Sequence, residues 1–165
     1  MAQISNPQQL FEQKLGTALG GEKKVLTMLK TMEQKAQSSE LKDGFARHRQ
    51  ETEGQIRNLE QAFESIGGTS TAHQDPVADG IAQHAEQMLG KVDDTLVDAV
   101  LAGGAAETEH HEIAVYEGLI TMAEAMGADD VVSLLQENLD QEQRTLSEIE
   151  SATQRLSQQL AQASA

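Results

Sequence analysis

Between Glu107 and Tyr116 the chain reads E-T-E-H-H-E-I-A-V-Y and places carboxylates where a helix should show its apolar face. At 3.6 residues per turn Leu101, Ala105, Glu109, Glu112, Tyr116, Leu119 and Ala123 share one side. A carboxylate taken out of water without a partner is strongly destabilising, so Glu109 and Glu112 each need a cation, a proton or a hydrogen-bond donor beside them. Their stripe supplies no Lys or Arg. The same anomaly recurs at Glu22, at His48 and Glu51, and at Glu142, each on a helical segment of its own. Five carboxylates and one neutral imidazole carry a charge close to that of two divalent or trivalent ions. Oxygen-rich ligation with a single histidine suits iron or manganese better than structural zinc.

Four long helices must position these six residues. Asn6-Pro7 provides a cap followed by proline at the first helical position, and Leu15, Leu19, Glu22, Val25, Leu29 and Met32 then follow at helical spacing to about residue 36. Ser38-Ser39 caps a second helix, with Leu41, Phe45, His48, Glu51, Gln55, Leu59 and Ile66 on one side as far as Gly67-Gly68. A small, polar stretch from Gly67 to Asp75 reads as loop, and Asp75-Pro76 starts a shorter connector helix to about Gly90. Asp93 or Asp94 is expected to cap a third long helix reaching Met126, bent at Gly103-Gly104, and Asp129 to start a fourth that frays beyond about Leu160. No alternating Val/Ile/Thr-rich run suggests a strand. Tight first and last turns with a long middle connection predict an all-α, ferritin-like four-helix bundle, its second and third helices joined by a crossover containing the short helix.

An internal repeat supports this arrangement. A shift of 90 residues places Glu22 on Glu112, Val25 on Val115, Leu29 on Leu119 and Thr31-Met32 on Thr121-Met122, and a shift of 91 places Glu51 on Glu142. Glu22 and Glu51 lie about equally far from their turn, roughly 20 Å at 1.5 Å per residue, and Glu112 and Glu142 do the same about theirs. Closing both hairpins should bring four carboxylates to one level, which mutual repulsion forbids unless cations intervene. His48 one turn before Glu51 and Glu109 one turn before Glu112 complete six ligands. Tyr116, one turn after Glu112, is placed to hydrogen-bond a ligand or pass an electron. Glu107 and His110, the one Glu-x-x-His pair, project away from the Glu112 face, as does His111; His73 and His84 fall in or beside the connector and are expected in solvent.

At 165 residues one domain spanning 1–165 is the expectation. A formal charge of -15 argues against nucleic acid or an anionic membrane as partner and favours cations. Cysteine is absent, which excludes disulfides, thiolate metal sites and cysteine catalysis. Neither a secretory leader nor a run of 18 apolar residues is read, so a soluble, cytoplasmic protein is expected.

In four blocks the residues resemble the YciE/YciF stress-associated ferritin-like family: A-L-G-G-E-K-K, H-R-Q-E-T-E-G-Q, E-H-H-E-I-A-V-Y and L-D-Q-E-Q. The resemblance covers nearly the whole chain and implies a dimeric four-helix bundle with an internal dimetal site, the motif residues falling on Glu22, His48, Glu51, Glu109, Glu112 and Glu142. The connector departs from the family pattern, with His84 in a segment the family tends to make acidic. The expected function is a stress-response protein holding two ions, iron or manganese, that oxidises iron(II) or consumes oxygen or peroxide. No Cys-x-x-Cys pair supplies electrons internally, so a donor would be external. The alternative is a non-enzymatic acidic stress protein whose metal is structural or absent.

Overall fold

The computed structural model describes residues 3–163, and among them every regular element is helical. Helix α1 spans Pro7–Lys35, with the Asn6 side chain accepting from the Gln9 amide at 2.9 Å. Helix α2 spans Ser39–Ser65; Ser38 Oγ accepts from the Leu41 amide at 3.2 Å, and the helix ends through Gly67 at φ 70. Helix α3, Pro76–Leu89, starts on Asp75, whose Oδ1 accepts from the Val77 and Ala78 amides. Helices α4, Val97–Ala125, and α5, Asp129–Ala163, are joined through Gly127 at φ 67. The left-handed conformation that both turns use is one glycine adopts without a steric penalty.

The start of α4 differs from the sequence expectation. Neither Asp93 nor Asp94 caps it; Asp94–Leu96 form a single 3-10 turn and the helix begins at Val97. Asp98 uses its carboxylate elsewhere, accepting from the Gln37 and Ser38 amides at 2.7 and 2.9 Å. That bond ties the beginning of α4 to the α1–α2 turn and so makes α1 and α4 antiparallel neighbours. The helix continues unbroken through Gly103 and Gly104.

On the opposite seam α2 and α5 also run antiparallel. Arg155 pairs with Glu40, Arg47 with Glu148 at 3.0 Å, and Asn58 donates to Asn138 at 2.8 Å. The ring of helices is therefore α1, α2, α5, α4, with α3 laid across α4 and α1. The crossover is fixed at α1: the His73 amide donates to the Gly16 carbonyl at 2.8 Å, and the His73 carbonyl lies so close to Gly20 that a Cβ there would stand 1.6 Å from its oxygen. Among the described residues no helix is long and apolar enough to cross a membrane.

Apolar packing is divided. One cluster includes Phe11, Leu15, Leu19, Leu59, Phe63 and Leu135, and the other includes Val25, Leu29, Leu41, Phe45, Leu101 and Ile149. Burying each large side chain contributes on the order of 2 kcal/mol. Between the clusters lies a layer of buried polar residues to which all four long helices contribute.

Candidate metal centre

Glu22 and Glu112 each lie one residue past the midpoint of α1 and α4, each helix 29 residues long. Both are buried, as are His48 from α2, Glu109 from α4 and Glu142 from α5. One ligand-type atom from each of His48, Glu109, Glu112 and Glu142 lies within 4.8 Å of all the others. His48 Nε2 stands 3.1 Å from Glu109 Oε1, while its Nδ1 is 3.9 Å from Glu51 Oε2. Glu22 is outside the group of four and accepts a hydrogen bond from Tyr116. Glu51 sits at the rim, its side chain 38% exposed. Of the six residues singled out by spacing, five are therefore buried together and one faces solvent.

The donor atoms fit a cation. Glu22 Oε2, Glu109 Oε2, both oxygens of Glu112 and of Glu142, and both ring nitrogens of His48 are buried without a hydrogen-bond partner among the described residues. Buried polar atoms are ordinarily paired, and so many orphans converging at one level call for a ligand or for protons. Burial raises Glu22 to about 7, against the hydrogen bond from Tyr116 and the neighbouring His48, both of which lower it. Burial, and then the charge of neighbouring carboxylates, pushes Glu112 and Glu142 well above the ordinary range. For His48, burial opposes the charged form, but Glu109 and the other acids outweigh it and hold the imidazole well above its usual value. Glu51 is held low, chiefly by His48. Burial thus biases Glu22, Glu112 and Glu142 toward their protonated forms, and a cation would displace those protons.

The remaining histidines lie outside the layer. His110 is exposed, and His84 is 60% exposed, with its Nδ1 3.7 Å from Glu107 Oε2. His111 turns toward the crossover and its Nε2 meets Asp75 Oδ2 at 2.8 Å. His73, expected in solvent, is half-buried with its ring over Gly16.

Two features have no local signal in the sequence. Asn138, fully buried one turn before Glu142, donates to the Gln55 carbonyl at 3.3 Å and to Tyr116 Oη at 3.1 Å. Its spacing to Glu142 was visible, but its partners lie far off in the chain. Asp75 was readable as a helix cap, whereas its second oxygen serves His111, a purely tertiary pairing.

The fold and layer define a class: a ferritin-like four-helix bundle with a buried carboxylate and histidine cluster compatible with a metal site. Residues 6–162 match the family described as Domain of unknown function (DUF892), and the chain belongs to that family. Protein YciF of Escherichia coli strain K12 is 30% identical over 140 residues, 84% of each chain. The solved structure of YcfI from Rhodopseudomonas palustris, 31% identical, covers 89% of this chain and 94% of its own with a TM-score of 0.87. That of the E. coli stress protein YciF, 25% identical, covers 94% and 99% with a TM-score of 0.89.

Proposed function

We propose that this chain binds two iron or manganese ions between its four helices and acts in stress response by oxidising iron(II) or consuming peroxide. The observation that carries the reading is the set of unpartnered, converging oxygens and nitrogens on Glu22, His48, Glu109, Glu112 and Glu142. His48, Glu109, Glu112 and Glu142 would hold metal at the level where their ligand atoms converge, with Glu22 and Glu51 as further ligands beside them. Two iron(II) ions held there would supply the two electrons that, with two protons, convert one hydrogen peroxide to two waters.

The protein's own part is positional. Tyr116 holds one oxygen of Glu22 and leaves the other free, and the Glu109 carboxylate stands 3.1 Å from His48 Nε2. The apolar clusters on either side keep bulk water from the carboxylates. Glu22, Glu112 and Glu142, whose carboxyls burial biases toward the protonated form, would release protons to a binding cation. Glu51, low in pKa and half-exposed, is the ligand a cation reaches first.

Anaerobic titration with iron(II) or manganese(II) followed by elemental analysis tests the reading. We expect about two ions per chain, near none for Glu112→Ala, and peroxide consumption by the loaded wild type alone. Wild-type protein that takes up no metal would sink the proposal and leave a non-enzymatic acidic stress protein.

A further inference from the structure

On the α2–α5 seam the helices do not close completely. A recess of about 60 Å³ lies there, lined by Leu41, Phe45, Ala105, Ile149 and Ala152, with Gly44 and His48 also facing it. Roughly 10–15 Å³ suffices to admit one water, so this space takes a molecule of a few atoms. His48 alone among its lining residues also belongs to the buried cluster of four. A Cβ built on Gly44 would meet nothing within 4 Å, so the recess is open beside that glycine.

The chemistry of the walls selects the occupant. Charged side chains at the recess cancel in pairs, Arg47 with Glu148 and Glu40 with Arg155 across the same seam. A metal cation would lose its hydration against aliphatic and aromatic walls with no net negative charge in return. Hydrogen peroxide would forfeit its hydrogen bonds to water and find there one uncharged hydroxyl, that of Thr145, beside charges already paired. A small apolar gas loses nothing on entering. We propose that this recess is a dioxygen-binding and access site that reaches the buried cluster at His48, separate from the half-exposed Glu51 side by which cations arrive. The inference rests on the dimetal reading for its purpose, but the recess itself can be tested without metal.

Xenon, an apolar stand-in for dioxygen, should shift the methyl NMR signals of Leu41, Ile149 and Ala152 in metal-free protein. In Gly44→Phe, whose ring would fill the recess, those shifts should vanish, and Gly44→Ala should lie between. Iron(II)-loaded Gly44→Phe should keep wild-type metal stoichiometry yet react with dissolved oxygen at least tenfold more slowly. Xenon that leaves the wild-type methyls unmoved, or oxidation of Gly44→Phe at the wild-type rate, overturns the proposal. Wild-type protein that binds xenon there but takes up no iron would refute the dimetal reading and leave the gas site standing. Should Gly44→Phe not fold, Gly44→Ala carries both measurements: unchanged xenon shifts and an unchanged oxidation rate count against the proposal.

Discussion

The hairpin of α1 and α2 contributes Glu22, His48 and Glu51 to the polar layer, and the hairpin of α4 and α5 contributes Glu109, Glu112 and Glu142. Sequence repetition relates Glu22 to Glu112 and Glu51 to Glu142, yet the surroundings differ. All three acids of the second hairpin are buried, whereas the first buries one acid and one imidazole and leaves Glu51 at the rim. Glu142 is fully buried with two unpartnered oxygens; Glu51, its counterpart, is half-exposed and beside His48. Most of the unfavourable charge desolvation therefore falls on α4 and α5, and the layer opens to solvent at α2. The repeated spacing places the glutamates alike, and burial divides their surroundings.

Metal and pH together should expose that division with the largest effect. In metal-free protein Glu22 rises from its ordinary 4.5 to about 7, and Glu112 and Glu142 move the same way. Raised carboxylates contribute fully below the unfolded pKa and lose that contribution as pH climbs through the folded value. His48, also raised, adds a loss of the same sign at higher pH. Apo stability should fall between pH 4.5 and 7, by about 3 kcal/mol for a shift the size of that of Glu22 alone. Metal reverses the sign by depressing the same groups; at about 1,000 times its dissociation constant it adds roughly 4 kcal/mol, which acid removes. Thermal melts of chelated and manganese-loaded protein across that range should diverge as pH rises. Superimposable curves would mean that the acids of both hairpins are solvated alike.

A second contrast concerns what covers the two hairpins. Gly20 on α1 underlies the His73 carbonyl, while the residue 90 positions on is His110, exposed on α4. Gly20→Ala should cost about 3 kcal/mol, because backbone rather than a pliable side chain must move. His110→Ala should stay within about 0.5 kcal/mol of wild type. Urea midpoints measure both, and equal effects would show that the crossover does not lean on α1.

Much of this was legible in the sequence, and the exceptions have physical causes. Glu22, Glu109, Glu112 and Glu142 interrupt apolar stripes, so their burial followed from periodicity. Only the depth of Glu51 escaped periodicity, because one helical turn is 3.6 residues and both the third and the fourth residue after His48 continue its face. The structure gives the central position to Thr52, fully buried, and turns Glu51 outward. Asp93 and Asp94 have the composition of caps, but Asp98 makes the tertiary bonds. Asn138 carries no local signal, since an isolated asparagine in a helix reads the same whether it faces water or Tyr116. Rotation of a helix about its axis and pairing between distant residues are set by packing, which periodicity does not encode.

Tyr116 gives the smallest and most discriminating test, because it belongs to α4 but supports the glutamate of α1. Its hydroxyl donates to Glu22 and accepts from Asn138. The position 90 residues earlier is Leu26, so the first hairpin offers no reciprocal bond. Tyr116→Phe keeps the ring and removes both bonds, which should cost about 1–2 kcal/mol. The pH dependence says which bond matters. Tyr116 favours the ionised form of Glu22, so its loss raises the folded pKa further above 4.5. By linkage the extra destabilisation is absent below that unfolded value and complete only above the folded one. Denaturant unfolding of the metal-free variant should therefore show a larger deficit at pH 8 than at pH 5. An equal deficit at both would assign the loss to Asn138, and the tyrosine would then brace α5 rather than join the two hairpins through Glu22.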